Sequence, residues 1–122
     1  MTTLLVVEDS ATEAKLLSDC LQNSGFSVIS VMTAEAAKAI LAQKNIDAIL
    51  LDIVLPGQSG FGLCRELKRQ DKTCQIPIII CSSKSEKIDK NWGIRQGASA
   101  YLTKPINSKE IVQTVQKLLV DN

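Results

Sequence analysis

The side chains able to do chemistry in this chain stand where apolar runs stop. Ala48 to Leu51 ends at Asp52, and Leu4 to Val7 is followed by Glu8 and Asp9. Ile78 to Ile80 leads through Cys81 to Ser82 and Ser83, and Ala100 to Leu102 runs into Thr103, Lys104 and Pro105. Histidine is absent, which removes the commonest general base and leaves carboxylates, hydroxyls and lysine to carry any reaction. The four cysteines, Cys20, Cys64, Cys74 and Cys81, are widely and irregularly spaced with no C-x-x-C, so a zinc site or dithiol redox pair is not expected. They read as small thiols packed in the core of a reduced protein.

The elements that must position these groups alternate along the chain. Five short apolar runs read as strands: Leu4 to Val7, Val28 to Val31, Ala48 to Leu51, Ile78 to Ile80 and Ala100 to Leu102. Between them apolar residues recur at helical spacing, as in Ala14, Leu17 and Leu21, or Ile111, Val115, Leu118 and Leu119. Ser10-Ala11-Thr12-Glu13 reads as a capping box opening the first helix, Thr33 and Ser108 as caps of the second and fifth, and Gly25 and Gly97 as helix stops. Runs that are apolar throughout, without alternation, fit strands covered on both faces, which describes three of the five. The pattern predicts a doubly wound α/β domain over residues 1–122 with a five-stranded parallel sheet and five helices. With the last helix read at about Ser108 to Val120, no effector domain is expected after it.

In such a sheet ligands bind beyond the carboxyl ends of the strands, which brings Glu8, Asp9, Asp52, Ser82 and Lys104 to one edge. Two carboxylates ~4 Å apart repel by about 4 kcal/mol at an effective dielectric near ~20, so the cluster requires a cation. An all-oxygen site suits Mg²⁺, and Lys104 adds a second positive charge. Asp52 could be a solvated strand end, a metal ligand or a covalent phosphoryl acceptor. Only the last reading uses the serine and the lysine as well.

Four pieces, "LLVVEDS", "ILLDIVLPGQSG", "PIIICSS" and "GASAYLTKP", resemble in order and spacing the receiver domain of bacterial two-component response regulators, of the stand-alone CheY-like type. The resemblance implies strand order 2-1-3-4-5, the order given for CheY itself. It implies phosphorylation of Asp52 by a histidine kinase, with Mg²⁺ held by Glu8, Asp9, Asp52 and the backbone carbonyl of Val54. Ser82 would be the switch hydroxyl, Lys104 the partner of the phosphoryl oxygens, Tyr101 an aromatic that moves with the switch, and Lys104-Pro105 a cis peptide. The chain departs from the family's frequent pattern in having Glu-Asp at positions 8 and 9 and serine at 82, both of which keep the functional group. Output would be phosphorylation-dependent protein contact through the fourth helix, fifth strand and fifth helix, without catalysis of a turnover reaction. Alternatives are a phosphate sink or a receiver cut from a larger regulator.

The segment "WGIRQGA" from Trp92 resembles receivers of twitching-motility and phototaxis pathways, implying a role in chemotaxis, phototaxis or type IV pilus motility. Trp92 itself is expected to pack against the sheet, with a partner-binding anchor as the alternative. A haloacid-dehalogenase-like phosphatase would want an acid where Val54 stands, and a flavodoxin-like flavin carrier would place its phosphate beside Glu8 and Asp9, which repel it. Fourteen basic against thirteen acidic residues, with no basic stripe, argue against nucleic acid. With no membrane span or cationic leader in the sequence, the expectation is a cytoplasmic monomer.

Overall fold

The structure, a computed structural model, describes residues 2–121. Met1 and Asn122, the ends of the expected 1–122 domain, lie outside the described residues. Five strands alternate with five helices: β1 Thr3–Val7, α1 Ala11–Asn23, β2 Ser27–Val31, α2 Ala34–Gln43, β3 Ala48–Leu51, α3 Gly60–Lys68, β4 Ile78–Ser82, α4 Lys87–Arg95, β5 Ala100–Thr103 and α5 Ser108–Asp121. All strand pairs are parallel, in the order β2-β1-β3-β4-β5. The predicted doubly wound sheet is therefore observed.

Alternation along each strand divides the core in two. Leu5, Val7, Ile49, Leu51, Ile78 and Ile80 face α2 and α3, joined there by Leu41, Leu63 and Leu67. Leu4, Val6, Ala48, Leu50, Ile79 and Cys81 face α1 and α5, meeting Leu21, Ile111 and Val115. The inner strands β1, β3 and β4 are buried almost throughout, whereas the edge strand β2 is only half-buried. This explains why three runs are apolar throughout and why Ser30 is tolerated on β2.

Register decides what sits at the carboxyl edge. Val7 pairs with Leu51, so Glu8 and Asp52 emerge side by side, and the Asp52 N–H donates to the Val7 carbonyl at 3.1 Å. Ser82 pairs with Thr103, and the Lys104 N–H donates to the Ser82 carbonyl at 2.9 Å. Each apolar run thus delivers its polar terminus to the same rim.

Several local expectations need correction. Ser10 caps α1 by accepting the Glu13 N–H at 3.3 Å, but the reciprocal half of the box is missing, because the Ser10 N–H goes to Glu8 Oε2 at 3.1 Å. The cap of α5 is Asn107, whose Oδ1 accepts the Glu110 N–H at 2.9 Å, and Ser108 is the first helical residue. Cys64 and Cys81 are buried, while Cys20 and Cys74 are only partly so. Burial pushes the Cys64 thiol up to about 11 and the Cys81 thiol up to about 12, as suits packing residues. Trp92 does not pack into the sheet. It is 47% exposed, and its neighbour Gly93 takes the buried position. A Cβ on Gly93 would come within 2.9 Å of both Ile80 Cδ1 and Tyr101 Cδ2, so this turn of α4 lies too close to the sheet for an indole to fit beneath it.

Candidate phosphoacceptor site

Lys104 occupies the centre of the rim. Its Nζ lies 2.5 Å from Glu8 Oε1, 2.6 Å from Glu13 Oε2 and 3.0 Å from Asp52 Oδ2, which uses all three ammonium donors. The three carboxylates offer oxygens within 4.8 Å of one another. Glu8 and Asp52 are buried and Glu13 is half-exposed. Glu8, Asp52 and Lys104 were expected together from the strand ends. Glu13 was not: its spacing from Ser10 had a complete local explanation as a cap. Asp9 stands exposed in the loop after β1 and is not in the converging set among the described residues.

The electrostatics follow from burial. Burial pulls the Lys104 ammonium down, but hydrogen bonds to Glu13, Glu8 and Asp52 outweigh it and hold the group above the ordinary lysine range. Burial pushes the Glu8 carboxyl up to about 7, against the stabilising bonds from Lys104 and the Ser10 N–H. One ammonium therefore does not satisfy three acids. An all-oxygen donor set of three carboxylates around one ammonium carries excess negative charge and fits a hard divalent cation.

A pH dependence follows. The Glu8 pKa in the fold lies above its ordinary 4.5, so its contribution to stability is fully present below that value and is lost as pH rises through about 7. In chelator-treated protein, urea unfolding is expected to show stability falling by up to about 3 kcal/mol from Glu8 alone between about pH 5 and 8. Glu8→Gln should flatten that fall, and saturating Mg²⁺ should remove it by favouring the ionised carboxylate. A slope unchanged in Glu8→Gln would show that other groups set it.

Ser82 is fully buried at the end of β4, and its Oγ accepts the Lys84 N–H at 3.2 Å. The Lys84 carbonyl in turn accepts the Tyr101 O–H at 2.5 Å. One peptide segment thus ties the hydroxyl at the rim to the aromatic on β5, whose ring packs against Gly93 of α4. The Val54 N–H approaches Asp52 Oδ1 at 3.4 Å, while the Val54 side chain is exposed. The Lys104-Pro105 peptide is cis. On α4, Ile88, Trp92 and Ile94 are exposed, with Asn91 and Arg95 among them.

Comparison with known proteins places these features in context. A family model described as "Response regulator receiver domain" matches residues 4–116. The chain is 38% identical over 119 residues to Protein PilH of Pseudomonas aeruginosa, with 98% of each covered. It is 36% identical over 117 residues to the Phosphate regulon transcriptional regulatory protein PhoB of the same organism, with 96% of this chain but only 51% of PhoB covered. Among solved structures, the chemotaxis protein CheY4 of Vibrio cholerae is similar with a TM-score of 0.90 at 26% identity, covering 97% of this chain and 98% of that one.

Proposed function

Since the chain belongs to the response regulator receiver domain family, we propose that it works as a stand-alone regulator that takes a phosphoryl group from a histidine kinase onto Asp52. The observation that carries this reading is the Lys104 ammonium bound to the Asp52 carboxylate and two further acids at one sheet edge. In the reaction an Asp52 oxygen attacks phosphorus, the bond from phosphorus to the donor's nitrogen or oxygen breaks, and the leaving group departs with the electron pair. Lys104 stays protonated and turns toward the phosphoryl oxygens, where Ser82 donates its O–H. Glu8, Asp52 and the Val54 carbonyl would hold Mg²⁺ together with Asp9, whose exposed side chain would have to turn in from the loop after β1, and the ion when bound would neutralise charge on the phosphoryl oxygens. Incubation with Mg²⁺ and acetyl phosphate is expected to give acid-stable, base-labile phosphate. No incorporation with any acyl phosphate or phosphohistidine donor would sink the reading.

The change of state starts at Ser82. Drawing its hydroxyl toward a phosphoryl oxygen disturbs the Lys84 N–H bond, and the same segment holds Tyr101. The response would reach α4, β5 and α5, and a downstream protein that prefers one arrangement would read it. The family resemblance of the Trp92 segment supports a motility pathway, with the 1–122 chain acting as one cytoplasmic, monomeric receiver unit. The exposed Ile88, Trp92 and Ile94 supply the contact surface. Trp92→Ala is expected to change unfolding free energy by about 1 kcal/mol or less, because the ring is half-exposed. The same substitution should weaken capture of whatever protein the beryllofluoride-treated form retains. Equal capture by wild type and Trp92→Ala would move the output surface elsewhere.

A further inference from the structure

We propose that Glu13 is a positioning residue, which anchors the Lys104 ammonium from the α1 side and so fixes it where it meets the transferred phosphoryl group. The inference rests on the reading of Asp52 as the phosphoryl acceptor. Its starting point is a diverted side chain. Glu13 stands three residues after the cap Ser10, where its carboxylate has a local partner in the Ser10 N–H. That N–H instead goes to Glu8 Oε2, and Glu13 Oε2 reaches Lys104 Nζ at 2.6 Å across 91 positions of sequence. The contact to Asp52, at 3.0 Å, is the longest of the three the ammonium makes.

The consequence for phosphoryl transfer is geometric. The ammonium contacts Asp52 through Oδ2 alone, so Oδ1 keeps lone pairs able to attack phosphorus, and what matters is where the ammonium is held when the phosphoryl group arrives. Glu8 and Glu13 hold the ammonium from two further sides, so it stays in place to meet the transferred group. Glu13 is the member of the pair that is half-exposed and reachable without disturbing the core, which makes it the testable one. A helix N-terminus also favours an acid at this position, so a purely structural role must be separated from positioning.

Glu13→Ala and Glu13→Gln in the full chain make that separation, with Glu35→Gln in the first turn of α2 as a control. The first readout is the ¹H–¹⁵N signal of the Lys104 ammonium, identified by its loss in Lys104→Met. The second is the initial rate of phosphate uptake from acetyl phosphate at saturating Mg²⁺. Glutamine still offers an oxygen, so Glu13→Gln should keep a slowly exchanging ammonium signal and a rate within about twofold of wild type. Glu13→Ala should lose the signal to fast exchange and fall about tenfold in rate, the scale of a modestly misplaced group. The control should move neither. Glu13→Ala with an unchanged rate, or Glu13→Gln as impaired as Glu13→Ala, overturns the proposal. If wild type takes up no phosphate, the assignment of Asp52 fails, and the ammonium signal alone decides whether Glu13 holds Lys104: loss in Glu13→Ala supports the hold, and persistence refutes it.

Discussion

Asp52→Asn is expected to abolish phosphate uptake from acetyl phosphate, with a rate loss of at least about 10³-fold, the scale seen when a covalent nucleophile is removed. The amide that replaces the carboxylate has nearly the same shape, and its single oxygen can still accept from Lys104 while the NH2 takes the place of Oδ1 beside Val54, so the pocket keeps its outline. What disappears is the charge and nucleophilicity of the attacking oxygen. The fold should not suffer. Burial is the main cause of the raised Glu8 pKa and repulsion from Asp52 a smaller one, so the amide eases the Glu8 carboxylate a little while giving up one of the three ion pairs of Lys104. The expected signature is an inactive protein that still unfolds cooperatively in urea, within about 1 kcal/mol of wild type. Incorporation above about 1% of the wild-type rate, mapped by peptide mass to another residue, would refute the site; loss of folding would leave the variant's inactivity without meaning and call for Asp52→Ser in its place.

How much of this was legible depended on whether a residue's partner was local or distant. Asp52 was legible because a both-faces-buried strand cannot continue into an acid, so the break marks the strand's end and the sheet's carboxyl edge. Parallel register then carries Glu8 and Lys104 to the same place without further information. Glu13 was hidden because Ser10-x-x-Glu13 is satisfied by a cap, and nothing in the spacing tells that its carboxylate leaves for Lys104. Asn107 and Ser108 are both cap-formers one residue apart, and only the backbone turn selects the first. Trp92 misled through its size. Large aromatics are buried on average, but a helix step of one residue turns the next position away, and the buried position here went to Gly93 so that α4 could approach Tyr101.

Gly60→Ala should be among the most damaging single-methyl changes this chain admits, destabilising by about 3 kcal/mol or more, at or beyond the upper end of the overpacking range. Gly60 opens α3 directly behind the loop that follows Asp52, where its N–H donates to the Ile53 carbonyl at 2.8 Å and Ser59 caps the helix through the Gly62 N–H at 3.1 Å. A Cβ there would stand 2.0 Å from the Asp52 carbonyl oxygen and 2.7 Å from Ile53 Cα. Both are backbone atoms, so no side-chain rotation makes room; α3 must back away from β3, or the Asp52–Ile53 peptide must shift. Either movement opens packing around Leu63 and Leu67, and the second also re-aims the carboxylate at Lys104. Stability and phosphorylation should therefore fall together, and at temperatures where the variant is still folded its uptake rate should remain well below wild type. Gly62→Ala, two residues on, meets nothing closer than 3.5 Å and serves as the matched comparison. A Gly60→Ala protein within about 1 kcal/mol of Gly62→Ala in urea would mean that α3 is free to slide, and the close approach of α3 to β3 would not be what fixes Asp52 in place.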